Sequence, residues 1–290
     1  MPNPKPRLPR YGRIKNPPNM RLTDRDKHIL EAIHAYDGML GFSQIKRLFF
    51  SGKSQAEQRL KLLYQHTYVN RPNKEYRRRL PEMIYWLDKR GAEIVASRDS
   101  TPLKDFVWRK KPRWFQVEHD IAVNDFRLDL GEACQKSSDV ELATWVSESD
   151  FWSYPDRVEY RYNGRKRNRY VRPDGFFVLI TPDHRIRYLL EIDRSTEDNP
   201  RFLREKVLPG LAYVESKDFK ERFGHRGGRW LVVTTSERRL NNMLHQADRA
   251  EAKGLFYFTT YGKITVNKLL FSPIWQRADR DELVPLLFID

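Results

Sequence analysis

The sequence predicts a mixed α+β chain, in which a small helical module is joined to a mixed α/β domain. Three observations predict it. Residues 21–97 carry three helix-period apolar patterns, each with a start signal, and then two short apolar segments. Residues 98–114 are rich in Ser, Pro and Lys and read as a linker. From residue 115 to 290, helix-length patterns alternate with short apolar runs bounded by turn residues. A chain of 290 residues is long enough for two modest domains, each with its own core.

Taken in order, residues 1–20 hold six prolines, five basic residues and no acid, so a disordered or extended basic arm is expected. Such an arm either lies along phosphates or only solubilises the chain. Thr23 with Asp26 resembles a capping box, and Ile29, Leu30 and Ile33 give the helix behind it an apolar face. Asp37-Gly38 ends that helix. Ser43 opens a short second helix with Ile45, Leu48 and Phe49. Ser54 with Glu57 is a second capping box, and the third helix runs to about His66 with Leu60 and Leu63 inward. Two strands of a wing are expected at residues 68–71 and 83–87, with Arg71, Lys74, Arg77, Arg78 and Arg79 at the tip. Helix, helix, helix, basic wing is the order of a winged helix-turn-helix, whose third helix enters the major groove while the wing touches the backbone. Gln55, Gln58, Arg59, Lys61 and Gln65 offer groups for DNA contact, although a solvated helix face has the same composition.

In the second domain a helix is expected at about 115–135 and a strand at 140–147. A loop carrying the basic run 157–172 leads to an acidic hairpin. A helix at about 200–215, a strand at 230–235, a helix at 236–253 capped by Ser236 and a strand at 255–260 complete the series. Gly224-His-Arg-Gly-Gly228 lacks the helix needed to cradle a phosphate and reads as a turn leading into a strand.

The hairpin is the most informative segment. Arg172-Pro-Asp-Gly-Phe-Phe-Val-Leu-Ile180 and Tyr188-Leu-Leu-Glu-Ile-Asp-Arg194 are apolar strands that carry acids, with Thr181-Pro-Asp-His184 as the turn between them. A tight turn centred between Pro182 and Asp183 sets Asp174 opposite Glu191, and alternation puts Asp193 on the face of Glu191. Three carboxylates on one apolar hairpin call for a neutralising group, and a hard divalent cation, Mg²⁺ or Mn²⁺, is the usual one. The ordinary alternative is that Asp174 is a turn residue after Pro173 and that Glu191 pairs with Arg172 or Arg194.

Composition narrows the partner. Lys and Arg number 54 against 39 Asp and Glu, a formal charge of +15, which favours a polyanion, most often nucleic acid. There is no apolar run of membrane-spanning length and no apolar signal core, so a cytoplasmic protein without membrane contact is expected. The single Cys134 excludes an internal disulfide and a cysteine-based zinc site. No GxxxxGK[ST] motif is present, which excludes a P-loop motor, and no His-x-His pair points to a tyrosine-and-histidine relaxase.

The element order, with Pro173-Asp174 and Glu191-Ile192-Asp193 on successive strands, resembles the PD-(D/E)xK restriction-endonuclease-like fold. The resemblance implies acids that hold magnesium, and it departs at the last position, where Asp193 replaces the usual lysine. Lys206 on the next helix can supply the amine from another backbone position, as in some relatives. The winged-helix start, His119-Asp-Ile-Ala-Val-Asn-Asp-Phe126, Arg172-Pro-Asp-Gly175 and Glu191-Ile-Asp-Arg-Ser-Thr-Glu197 together resemble the replication-relaxation family, which is similar to the MobC-type relaxases. This implies metal-dependent, strand-specific nicking of double-stranded DNA at an origin, at a single-stranded or nicked region and with relaxosome or replication proteins as partners. It places Asp174, Glu191 and Asp193 at the metal, and makes His119 a ligand of metal-bound water or a general base. A core histidine satisfied by a hydrogen bond is the alternative for His119, with Asn124 considered as its partner. Arg194 neutralises an acid or grips a phosphate, and Glu197 supports the metal shell or caps the next helix. The missing lysine supports the rival reading, a non-catalytic DNA-binding regulator or replication accessory protein on a degenerate nuclease scaffold.

Overall fold

The computed structural model describes residues 8–194 and 198–288. It divides the chain into two compact units, Met1–Asp125 and Phe126–Asp290, and the architecture is mixed α+β. The first unit contains α1 (Asp24–Ala35), β1 (Leu40–Gly41), α2 (Phe42–Phe49), α3 (Lys53–Gln65), β2 (Val69–Asn70), α4 (Lys74–Arg77), β3 (Ile84–Leu87), α5 (Lys89–Arg98) and the start of α6 (Val117–Gln135). The capping box of α1 forms as expected, with the Thr23 N–H donating to the Asp26 carboxylate at 2.7 Å. The second one does not. Helix α3 starts at Lys53 with Gly52 before it, so Ser54 lies inside the first turn. Ile29, Leu30, Ile33, Leu60 and Leu63 are fully buried, as their spacing requires.

The two wing segments pair antiparallel, Val69 with Leu87 and Asn70 with Trp86, and β1 joins on the other side of β3. The short helix α4 occupies the connection. Helix α5 lies so close to the start of β2 that a Cβ at Gly91 would stand 2.0 Å from the Tyr68 carbonyl oxygen. The described part of the arm is extended and held. The Gln65 amide accepts from the Ile14 N–H at 2.9 Å and donates to the Gly12 carbonyl at 2.8 Å. Arg13 donates to the Tyr64 carbonyl and to Asp88, and its guanidinium covers the Tyr64 ring at 4.5 Å. Residues 1–7 of the arm lie outside the described residues.

The second unit contains β4 (Glu141–Ser147), α7 (Glu148–Ser153), β5 (Asp156–Tyr162), β6 (Arg165–Val171), β7 (Gly175–Ile180), β8 (Arg185–Ile192), α8 (Asn199–Phe202), a π turn (Leu203–Val207), α9 (Leu208–Val214), α10 (Lys217–Phe223), β9 (Arg229–Thr234), α11 (Glu237–Arg249), β10 (Phe256–Thr260), β11 (Trp275–Arg277) and β12 (Leu283–Val284). Seven strands form one sheet in the order β12-β11-β10-β9-β8-β7-β4. The central strands β8, β9 and β10 run parallel, and the flanking ones antiparallel. Parallel neighbours need crossover helices, so these strands are buried on both faces and read as unbroken apolar runs. On one face Phe176, Leu189, Val232 and Phe258 meet Phe202, Val207, Tyr213 and Leu240 from the helices after β8 and β9. On the other, Phe177 packs beside Phe126 of α6, with ring centroids 6.1 Å apart.

Two expectations are corrected here. The basic run 157–172 is a β5–β6 hairpin and not a loop, closed at Asn163 and Gly164, both with positive φ (50° and 72°). Asn-Gly is the strongest short-range hairpin signal, because a type I′ turn requires positive φ at both central residues. The helix over 200–215 is also interrupted. Pro209 has no N–H to give the carbonyl four residues back and its ring crowds that carbonyl. The chain widens into a π turn, in which the Leu208 N–H donates to the Leu203 carbonyl.

Candidate active site on the β7–β8 hairpin

The hairpin has the register that the turn signal predicts. Gly175 pairs with Leu190 and Ile180 with Arg185, and the Thr181 N–H donates to the His184 carbonyl at 2.8 Å across the turn. Just past the last pair, the Asp174 N–H donates to the Leu190 carbonyl at 2.9 Å. The Asp174 carboxylate accepts from the Ile192 N–H at 2.6 Å. That bond fixes Asp174 against the strand that carries Glu191. Asp174, Glu191 and Asp193 are all buried, with 5 to 8% of their surface exposed. Alternation from Leu189 puts Glu191 and Asp193 on the helix-covered face, so their charges must be met by side chains from those helices.

Lys206 and Arg239 meet them. The Lys206 amine lies 2.6 and 2.8 Å from the two Glu191 carboxylate oxygens. The π turn thus supplies a cation to Glu191. Arg172 lies over the Trp152 ring at 3.8 Å. Arg194, directly beyond Asp193, is partly buried. The π turn also carries Glu205, which accepts from Arg169 at 2.7 Å, Arg201 at 3.1 Å and Arg204 at 2.9 Å. Burial alone would raise the Glu205 carboxyl, but these guanidinium groups outweigh it and hold the pKa down to about 2.

The expected three-carboxylate cluster is not formed. Among the described residues, no group of three or more His, Cys, Asp or Glu is gathered closely enough to hold a metal ion. Asp193 is instead gripped by Arg239 through two bonds of 3.0 Å, and it accepts from the Thr234 hydroxyl at 2.6 Å. Arg239 is itself steered by Asn199, at 2.7 Å. Neither Arg239 nor Thr234 carries a local sequence signal for this role. The pairing joins a strand end to a helix that begins only after the next strand. Asp174 and Glu191 remain as hard oxygen donors side by side. Two carboxylates suffice for Mg²⁺, which keeps several waters and takes its remaining oxygens from substrate phosphates. As a donor set, Asp174 and Glu191 have the chemistry that a magnesium or manganese ion takes.

The remaining sequence-derived residues sort by what they touch. His119 lies half-buried near the start of α6, in the first unit, with Glu118 exposed beside it. The Asn124 amide donates to the Met39 carbonyl at 2.9 Å. On α3, Gln55 and Gln58 are exposed and Lys61 is partly so. Arg59 is turned away, donating through Nε to Asp26 at 2.7 Å and through Nη2 to the Arg21 carbonyl at 2.7 Å. Asp26 is fully buried, and although burial would raise its carboxyl, Arg59 and Thr23 bring it below the ordinary carboxylate value. Gln65 is occupied with the arm. At the wing, Arg78 and Arg79 are exposed, whereas Arg77 is half-buried and donates to the Leu80 carbonyl at 2.7 Å. Arg71 is buried over the Tyr64 ring at 4.0 Å, so it is not a tip residue. Asp198 caps α8, accepting from the Arg201 N–H at 2.7 Å, and Glu197 lies outside the described residues. No helix among the described residues is long and apolar enough to cross a membrane.

No curated protein and no solved structure matches the chain. A family model described as replication-relaxation matches residues 30–224, a span that takes in α3, the wing strands, the acid-bearing hairpin and the π turn with Lys206, and the chain belongs to the replication-relaxation family.

Proposed function

We propose that the chain is a DNA-binding, metal-dependent, site- and strand-specific nickase of relaxase type. Family membership points to replication or mobilisation as its setting, and an origin region of a plasmid or mobile element is the target that fits. The observation that carries the reading is the pair Asp174 and Glu191 at the end of one buried hairpin, with Lys206 of the π turn against Glu191. In a PD-(D/E)xK-like site the lysine usually follows the second acid by two positions. Here that position belongs to Asp193 and its arginine, and an amine reaches the same carboxylate from the π turn.

In this reading Asp174 and Glu191 hold one cation. Bound Mg²⁺ or Mn²⁺ supplies Lewis-acid polarisation of the scissile phosphate and a more acidic water. Asp174 is pre-oriented by its bond from the Ile192 N–H. Lys206 pairs with Glu191 and would offer a fixed cation to the charge that develops on the phosphate. Asp193 acts as a brace that fixes the end of β8 against α11. In the first unit, α1 to α3 followed by the β2–β3 pair fit a winged helix, with Gln55 and Gln58 facing the groove and Arg78 and Arg79 the backbone. The excess of 15 positive charges supports a polyanionic partner.

One observation favours a second reading. Glu191 and Asp193 are each neutralised by a side chain of the protein, as in a DNA-binding regulator that keeps the scaffold without the chemistry. Nicking of supercoiled DNA carrying the native origin separates the two, assayed with Mg²⁺, Mn²⁺ or EDTA. The nickase reading expects metal-dependent open circles that Asp174→Ala and Glu191→Ala abolish. It expects Lys206→Met to slow cleavage by about 100-fold or more without loss of binding. Specific binding with no open circles under either metal establishes the regulator instead.

A further inference from the structure

We propose that the open face of the β5–β6 hairpin and the aromatic cluster at its base bind single-stranded DNA and lead that strand towards Asp174. The pairing of Arg157 with Tyr170, Glu159 with Asn168 and Arg161 with Lys166 puts these six side chains on one face, and all six are exposed. The opposite face is closed. Val158 and Val171 are buried in the core, and Arg169 reaches down to Glu205. Asp156 accepts from the Tyr213 hydroxyl and from Arg222, pinning the base of the hairpin to α9 and α10. The hairpin therefore lies flat on helices instead of standing free. A ribbon that reads a duplex must enter the major groove, about 12 Å wide, and one backed by helices cannot.

The chemistry of the open face matches a single strand. On it Arg157, Arg161 and Lys166 are exposed, against one exposed acid, Glu159, which pairs with Lys166 at 3.0 Å. Three large rings are left in water at the base, with Trp152 50%, Tyr154 77% and Tyr170 48% exposed. The Arg172 guanidinium lies 3.8 Å from the Trp152 ring centroid and 5.4 Å from that of Tyr170. A bond from the Trp152 indole N–H to Glu148 at 2.9 Å fixes the plane of the ring. A cationic track that ends in fixed rings is how proteins hold single strands without reading sequence, since every base offers a π face. A duplex hides those faces and gives the rings nothing to stack on. Arg172 precedes Asp174 by two residues, so the platform adjoins the hairpin acids. Delivery to a cutting site rests on the nickase reading; strand binding on this face does not.

The test is fluorescence anisotropy of the full chain in EDTA, with labelled oligothymidine of about 16 nucleotides and a duplex of equal length. Trp152→Ala/Tyr170→Ala is expected to weaken oligothymidine binding at least about tenfold while duplex affinity stays within about twofold. Trp152→Phe, which keeps a ring, is expected to retain most of the affinity. Arg161→Gln/Lys166→Gln, both solvent-facing, should lower the salt slope for oligothymidine by about 1.4. The proposal is overturned by unchanged oligothymidine binding in the double alanine variant, or by an equal loss for the duplex. If that variant does not fold, an unchanged salt slope in the glutamine variant overturns it. Oligothymidine binding that depends on Trp152, in a protein that nicks no origin DNA, leaves the track standing and removes only the nickase reading.

Discussion

Replacing Arg239 with alanine strips the guanidinium from a carboxylate that sits almost wholly out of water. The side chains of Arg239 and Asp193 are 10% and 7% exposed, and two bonds of 3.0 Å join them. Breaking such a pair from one side costs about 3–5 kcal/mol, because the remaining charge stays buried. The Thr234 hydroxyl, at 2.6 Å, still donates to Asp193 in the variant, and a hydrogen bond to a charged group is worth about 1.5–3 kcal/mol. The expected loss is therefore at the lower end, about 3 kcal/mol. Asp193→Asn should cost a similar amount by leaving the guanidinium without its counter-charge. Removing both charges with Asp193→Leu/Arg239→Met should come back to within about 1 kcal/mol of the parent. Equilibrium urea denaturation of all four proteins measures this as a coupling energy. The decisive result is the single variant Asp193→Asn. If it is more stable than the parent, the strongest interaction of Asp193 is repulsion from Asp174 and Glu191. The residue then belongs to a cation site, and the brace is wrong. As a brace, Asp193→Asn loses stability and leaves the metal requirement of nicking where it was.

The hairpin was legible because two independent signals agree on it. Pro182-Asp183 fixes the turn, and the unbroken apolar runs on either side of it mark the two buried strands. The chain from Asp174 to Glu191 therefore folds at the expected register. The basic hairpin was hidden by its own composition. Arg165-Lys-Arg-Asn-Arg169 has no apolar period, since the side chains on both faces are long and polar, and only Asn163-Gly164 marks the turn. The fate of Asp193 was beyond local reading for a different reason. Alternation says which face an acid occupies, but not which cation a helix 46 residues later will place there. The partners of Arg59 and Gln65 were hidden in the same way, for Arg59 meets the buried Asp26 carboxylate and Gln65 the backbone of the docked arm, both far away in sequence. Lys206 differs. The sequence shows an unremarkable helical lysine, and only Pro209, which forces the π turn, hints that the helix is irregular where it meets the acids.

Two further perturbations test the packing that positions the site. Gly91→Ala puts a methyl group 2.0 Å from the Tyr68 carbonyl oxygen, a backbone atom that cannot rotate aside. The first unit should lose about 1–3 kcal/mol or more, read as a lower urea midpoint, and a variant as stable as the parent refutes the close approach of α5. Glu205 supplies a pH test of the π turn. Its folded pKa is depressed from 4.5 to about 2, so its contribution is fully present above the unfolded value and is lost as pH falls through the folded one. A shift of that size corresponds to about 3 kcal/mol at most, and screening around the partly exposed Arg201 and Arg204 should reduce it to about 1–2 kcal/mol. The stability difference between the parent and Glu205→Gln should thus be flat from pH 7 to about 5, shrink between about pH 4.5 and 2, and vanish below. A difference that stays constant through that window would mean the arginines around Glu205 act by shape and not by charge. The π turn would then present Lys206 to Glu191 through packing on Phe202 and Val207 alone.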